Sequence, residues 1–209
     1  YHRPGFSYFL KTVSTRTLMT EDINYENLLG QPYLNCGHHV LLRDGTELHD
    51  LQPLCDWSCL PGVSLAQGLT LQERRAFAGG IGDGQSGFAV MDHRRTDGDS
   101  TAALQIRKLA ACHGDVIVHL LGGMEATGVE GPITTGLEQV RLAGTVLMAE
   151  SDRPPQPLAE GTHTASAVQW VHHQETGYVL NPPAPLRVQI GAVTGSWRAI
   201  NHSYDEDDV

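Results

Sequence analysis

The densest group of chemically capable side chains lies in Ser14-Thr15-Arg16-Thr17-Leu18-Met19-Thr20-Glu21-Asp22-Ile23-Asn24-Tyr25-Glu26-Asn27, where Arg16, Glu21, Asn24, Glu26 and Asn27 crowd around Tyr25 within fourteen residues. A guanidinium presents a fork of donors that matches a carboxylate, while amides and carboxylates hydrogen-bond hydroxyl groups. Such a set suits a polyhydroxylated acidic ligand such as a sugar acid. The same residues also suit a solvated turn whose side chains cap its own backbone.

Other motifs weigh less. Gly82-Asp83-Gly84-Gln85-Ser86-Gly87 fits the string G-x-G-x-x-G, but a dinucleotide site needs a strand before it and a helix after it, and Phe88-Ala89-Val90-Met91 continues as a strand. The glycines read instead as a hairpin loop. His38-His39 and His172-His173 invite a metal reading. Neighbouring strand residues point to opposite faces, however, so neither pair readily chelates one ion, and structural or surface roles are favoured over a site assembled from distant strands. There is no G-x-S-x-G elbow, and no Ser, His and Asp stand out as a hydrolytic triad. Asn201-His202-Ser203 has the form of a glycosylation sequon, a triplet frequent by chance.

The elements that must carry these groups read as short strands. Phe6 to Met19 predicts a strand or strand pair, followed by a polar turn around Thr20 to Asn24. Two strands are expected between Tyr33 and Leu51, joined at Arg43-Asp44-Gly45, and Leu60-Pro61-Gly62 opens a connecting loop that runs to about Arg75. Phe77 to Gly80, Gly87 to Met91, Thr101 to Leu109 and Val116 to Leu121 continue the rhythm. Residues 133 to 149 mix apolar and polar positions, and Arg153-Pro154-Pro155-Gln156-Pro157 breaks any regular element. Trp170 to His173, Gly177 to Leu180, Leu186 to Ile190 and Trp197 to Ile200 are the last predicted strands. This is a meander without βαβ units, and the predicted fold class is all-β, a large antiparallel β-sandwich.

A chain of 209 residues is long enough for one large β domain, and 23 Gly with 11 Pro suit many strands joined by tight turns. The formal net charge of -10, with Asp205-Glu206-Asp207-Asp208 near the end, provides no global field for nucleic acid or acidic lipid, so no nucleic-acid or membrane partner is expected. An acidic glycan would need local Arg or Lys. No run of 18 apolar residues and no charged-then-apolar leader is present in the sequence. Cys36, Cys55, Cys59 and Cys112 match neither a small disulfide scaffold nor a paired C-x-x-C zinc site, and read as buried free thiols.

One ordered set of short motifs then changes the reading. His2-Arg3-Pro4-Gly5-Phe6, Ser14-Thr15-Arg16, Asn24-Tyr25-Glu26-Asn27, Asp44-Gly45, Leu60-Pro61-Gly62, Phe77-Ala78-Gly79-Gly80, Thr134-Thr135 with Glu138 and Arg141, Trp170 to Tyr178, and Gly195-Ser196-Trp197 with Ile200-Asn201 run along most of the chain. In that order they resemble the central super-sandwich of polysaccharide lyase family 8, which includes the chondroitin AC, hyaluronate and xanthan lyases. Two places depart from the family pattern. Lys108-Leu109-Ala110-Ala111 stands where a Lys-Ser-Trp-Phe-like strand is usual, and Gln31-Pro32-Tyr33 replaces the usual aromatic after the glycine, which implies a divergent subfamily.

The resemblance implies an enzyme that cleaves uronate-containing glycans by β-elimination, without cofactor or metal, outside the cytoplasm by secretion or export to a periplasm. It places an Asn, a His, a Tyr and an Arg of the catalytic set on an α/α toroid preceding the sandwich, so the present chain should be a single sandwich domain over 1–209, or most of one, lacking that toroid. Alone it is expected to be inactive. The family sandwich contributes a Glu that orients the catalytic Arg and Tyr, and an Asn three residues later that touches the sugar. Glu21 and Asn24 have that spacing, Glu26 and Asn27 would support the loop, and Arg16 would pair with a carboxylate or face the acidic glycan. The expected partners are therefore an acidic polysaccharide and the toroid of the same enzyme. The rival readings are a non-catalytic carbohydrate-binding or scaffolding sandwich, and a metal-dependent hydrolase built on the histidines.

Overall fold

The structure, a computed structural model, describes residues 1–19, 33–99 and 101–202. The fold is all-β, with antiparallel sheets of the β-sandwich class, as the turn-bounded runs predict. In chain order its strands are β1 (His2–Arg3), β2 (Phe6–Leu10), β3 (His39–Leu42), β4 (Ser64–Ala66), β5 (Leu71–Glu73), β6 (Ala78–Gly82), β7 (Ser86–Thr96), β8 (Ala103–His113), β9 (Val116–Thr127), β10 (Ile133–Thr135), β11 (Leu147–Glu150), β12 (Gln156–Pro157), β13 (Gly161–His173) and β14 (Thr176–Ile190). Single 3-10 turns at Gln52–Leu54, Trp57–Cys59 and Trp197–Ala199 are the helical segments among the described residues. The chain falls into two compact units, one formed by 1–139 with 195–209 and the other by 140–194.

The first unit is built on the long sheet β5/β6-β7-β8-β9, in which β5 and β6 pair with successive halves of β7. Along β7, Met91, His93 and Arg95 are buried while Asp92 and Arg94 are not, the period of two expected of a sheet with one covered face. On β8 the residues opposite them, Lys108, Ile106 and Leu104, share that face. Two smaller layers cover it. Tyr8 of the β1-β2-β3 sheet packs with Ala110 and Cys112 at one end, and Ala66 of the β4-β10 pair packs with Leu104 and Ile106 at the other.

The second unit is the sheet β12-β11-β13-β14. Its core is Val146, Met148, Val168, Val171 and Ile190. The run Asn181-Pro182-Pro183-Ala184-Pro185 falls inside β14, which lies at the edge, where a residue without an N–H costs no ladder bond on the open side. Even there the register shifts, and Leu180 to Pro183 stand against Gln169 between the Val168–Ala184 and Trp170–Val179 pairs.

Several sequence expectations need correction. Of the stretch Phe6 to Met19 only β2 is a strand, and 11–19 runs as an irregular strap. The second strand expected between Arg43 and Leu51 is absent, because the Glu47 carboxylate accepts the backbone N–H groups of Arg43 (2.5 Å), Asp44 (3.1 Å) and Gly45 (2.9 Å) and closes a local corner. The loop expected from Pro61 to Arg75 contains β4 and β5, two three-residue strands whose partners β10 and β7 lie far away in sequence. Trp197 to Ile200 is a 3-10 turn capped by Ser196, with the Trp197 indole donating to Asp50 at 3.1 Å. By contrast, the glycine-rich string is a hairpin loop as read: Ile81 pairs with Phe88, and the Asp83 carboxylate accepts from Gln85 N (2.8 Å) and Ser86 N (2.6 Å). None of the four cysteines is in a disulfide; Cys36 and Cys112 are buried as expected, whereas Cys55 and Cys59 are half-buried.

Candidate functional site

Glu21, Asn24, Glu26 and Asn27 lie outside the described residues; Arg16 is described. The strap that carries it is tied to the sheet from both sides. Lys11 N donates to His38 O at 2.8 Å, Gly37 N donates to Lys11 O at 3.1 Å, and Thr15 N donates to Arg75 O at 2.9 Å. Val13 and Ser14 are buried beneath, with Val13 N on Met91 Sδ at 3.3 Å. Hydroxyls then shape the turn: Ser14 N donates to Thr17 Oγ1 at 3.1 Å and Arg16 N to Ser14 Oγ at 3.2 Å, which turns the Arg16 side chain outward.

The exposed Arg16 reaches the edge of the long sheet, where Nη2 donates to Ala78 O. From the opposite direction Arg74 Nη1 donates to Thr17 O at 3.0 Å. Two guanidinium groups thus stand on one rim, each anchored by a neutral carbonyl. Phe77, 61% exposed, precedes the residue that holds Arg16. Behind the rim the carboxylates are engaged elsewhere: Glu73 pairs with Arg94 and with Arg75 (3.8 Å), and Asp92 with Arg75 (3.5 Å) and Gln105 (3.5 Å). No carboxylate among the described residues is within ion-pair distance of Arg16 or Arg74. Sequence reasoning found Arg16 but not Arg74 or Phe77. The signal was the Arg74-Arg75 doublet next to an aromatic in an acidic chain.

The strap's far end is held by a buried cationic group. Lys108 Nζ donates to Gly62 O (2.8 Å) and Cys36 O (3.1 Å), stitching the Cys36-Gly37 and Gly62 backbones to β8. Burial, with Arg95 adding to it against an opposing contribution from Cys36, brings its pKa down to about 7. Arg95 donates to Leu69 O (3.2 and 3.1 Å), Thr70 O (3.1 Å) and Cys36 Sγ (3.4 Å), and lies over the Tyr33 ring. Burial pushes the Cys36 thiol up although Arg95 and Lys108 oppose it. His93 is fully buried and its ring nitrogens make no hydrogen bond of ordinary geometry, with only a partial contact from the Ser64 backbone; burial keeps it neutral.

His39 and His119 pack against Tyr8. His39 and His119 rings lie 4.5 Å apart, and Tyr8 Oη meets His119 Nε2 at 3.2 Å, although His119 keeps an exposed edge. Burial depresses His39 to about 3, helped by His119. In the second unit His173 Nε2 accepts from Ala143 N at 3.1 Å. No three His, Cys, Asp or Glu side chains converge to hold a metal among the described residues. An open polar cleft of about 310 Å³ lies wholly in the second unit, beside Glu150, Arg153 and Thr162, and contains none of the sequence-predicted site residues. Among the described residues no helix is long and apolar enough to cross a membrane.

Comparison with known proteins bears on what this rim serves. The family model described as polysaccharide lyase family 8, super-sandwich domain, matches residues 1–209. Chondroitinase-AC of Pedobacter heparinus is 31% identical over 216 residues, which cover 99% of this chain and 29% of that protein. A solved structure from work on the active site and oligosaccharide complexes of chondroitinase AC lyase superposes with a TM-score of 0.82 at 30% identity, covering 100% of this chain and 31% of that one. The chain therefore spans less than a third of the length of these relatives.

Proposed function

The chain belongs to polysaccharide lyase family 8, and we propose that it forms the sandwich wall of a cleft in which a longer enzyme cleaves a uronate-containing acidic glycan by β-elimination. The observation that carries this reading is the rim itself: an anionic chain presents Arg16 and Arg74 with their charges unmatched by any described carboxylate, beside the exposed ring of Phe77. Guanidinium forks suit carboxylate or sulfate oxygens, and an aromatic face suits the C–H side of a pyranose ring.

In the elimination a base removes the C5 proton, the electrons form the C4–C5 double bond, and the C4–O4 bond breaks as an acid protonates the departing oxygen. The proton alpha to a carboxylate is a very weak acid, so the rate depends on neutralising the uronate charge and positioning the acid and base. Those groups are assigned to an α/α toroid of the same polypeptide, consistent with the short span of this chain relative to its relatives. Glu21 is assigned to positioning the catalytic Arg and Tyr, Asn24 and Arg16 to the sugar, and Glu26 and Asn27 to supporting the loop. Both compact units are read as one sandwich domain, since the family match spans them. A location outside the cytoplasm accompanies this assignment.

The test is kinetic. The isolated chain should release no unsaturated uronate from hyaluronan or chondroitin, while the full-length protein should. In the full-length protein Glu21→Gln should lower kcat far more than it changes KM, and Asn24→Ala should affect both. Glu175→Gln, an exposed site in the β13–β14 turn, is the control. Equal activity of the Glu21 and Glu175 variants would sink the site assignment. Glycan binding by the full-length protein without turnover would replace the lyase reading with a carbohydrate-binding one.

A further inference from the structure

We propose that Arg74 is a glycan-binding residue that joins Arg16 in an oxyanion subsite for a sulfate or carboxylate of the bound polysaccharide, an inference that rests on the glycan-cleft reading above. The two arginines clasp in opposite directions: Arg16 reaches from the strap to Ala78 O on β6, and Arg74 reaches from the sheet edge to Thr17 O on the strap, with the Thr15 N to Arg75 O bond between them. Each guanidinium is thereby held at the seam between the strap and the sheet edge.

Each of the two bonds ends on a neutral carbonyl, so neither bond cancels a charge, no described carboxylate lies within ion-pair distance of either guanidinium, and an arginine has five N–H donors of which the clasp occupies few. Both side chains are exposed, and besides the clasp the described residues engage only Arg16 Nε, which donates to Ser14 Oγ at 3.5 Å. Among the described residues the neighbouring carboxylates do not compete, because Glu73 is taken by Arg94 and Arg75, and Asp92 by Arg75 and Gln105. The anchoring bonds restrain two long side chains before any ligand arrives, which lowers the ordering cost of binding. Because the chain as a whole carries a net charge of -10, an approaching polyanion is attracted only within a Debye length of such a patch. A planar fork takes two oxygens of one oxyanion at once, which a lysine does not.

The experiment uses the full-length protein and measures calorimetric binding of hyaluronan and chondroitin sulfate oligosaccharides of equal length at low and physiological salt, alongside steady-state kinetics. Arg74→Gln should weaken binding roughly tenfold at low salt and less at higher salt, raise KM by a similar factor and leave kcat nearly unchanged. Arg74→Lys, which keeps the charge and can still reach Thr17 O, should recover only part of the affinity. A loss confined to chondroitin sulfate identifies sulfate as the ligand group; a loss on both glycans identifies the carboxylate. The proposal is overturned if Arg74→Gln binds both glycans as tightly as the wild type with the same salt dependence, or if its loss is equal at all salt strengths and Arg74→Lys restores it fully, the pattern of a purely structural clasp. If oligosaccharide binding depends on Arg74 while the wild type releases no unsaturated product, the lyase reading fails and this one stands.

Discussion

Lys108 shows how far one buried amine shapes the first unit. In the unfolded chain its proton binds near 10.5, whereas in the folded chain it binds near 7. Over that window the unfolded state holds more protons, so stability falls as pH falls from 10.5 towards 7 and this group adds no further loss below. His39, ordinarily 6.5 and held at about 3, extends the same trend from 6.5 downward, and the lowered His38, His93 and His119 act in the same direction. A urea midpoint that declines from about pH 9 to mildly acidic pH is expected, while above 9 the thiols of Cys36, Cys55 and Cys112, all pushed up by burial, act in the opposite sense. Lys108→Met should flatten the alkaline part of that decline. Around neutral pH it should also cost about 1–3 kcal/mol, because Cys36 O and Gly62 O lose their donor, and the difference from wild type should shrink at pH 5, where wild type must bury an ammonium. A variant with an unchanged alkaline slope would show that the amine is not the titrating group.

At the scale of elements, backbone contacts rather than propensity decide several boundaries. Gly62 has φ +80°, and an added Cβ would meet Gly37 O at 2.3 Å and His39 Nδ1 at 2.6 Å, so no side chain fits where this loop crosses the Gly37 backbone just before β3. Gly62→Ala should destabilise by about 2–4 kcal/mol, read as the urea midpoint, through left-handed strain and a displaced Gly37. Gly79→Ala on β6, which would meet nothing within 4 Å, should change it by less than about 0.5 kcal/mol. The Pro61-Gly62 stop was legible in sequence because those two residues punctuate locally. The strands β4 and β5 were not legible, since three-residue runs such as Ser64-Leu65-Ala66 have no period of their own and become strands only by pairing with β10 and β7.

For the whole molecule, the long sheet has one covered face and one open one. Ile106, fully buried among Leu104, Ala66 and Leu69, belongs to the first, and Ile106→Ala should cost about 2–5 kcal/mol in chemical unfolding. On the other face Ile81, Phe88, Val118 and Leu120 are 43–75% exposed in one stretch of β6, β7 and β9. A patch of this kind should make the 209-residue chain bind an environment-sensitive apolar dye in its folded state, and Phe88→Ser with Leu120→Thr should reduce that signal while the unfolding midpoint stays within about 0.5 kcal/mol of wild type. Dye binding unaffected by the double substitution would place the apolar surface elsewhere.

Local or periodic features were legible in the sequence alone: the all-β class from short turn-bounded runs, the hairpin at Asp83-Gly84, the cysteines without disulfides, and the family from the order of weak motifs. Each of these depends on a residue's own chemistry or on neighbours a few positions away. Three features emerge only in the tertiary structure: Arg74 reaches Thr17, 57 positions away in sequence, on the strap that carries Arg16, Lys108 clasps Cys36 and Gly62, and Glu47 closes a corner where a strand was expected. Those outcomes depend on which carbonyl a long side chain finds when distant segments are brought together, and a donor's reach through space is not written in its spacing along the chain.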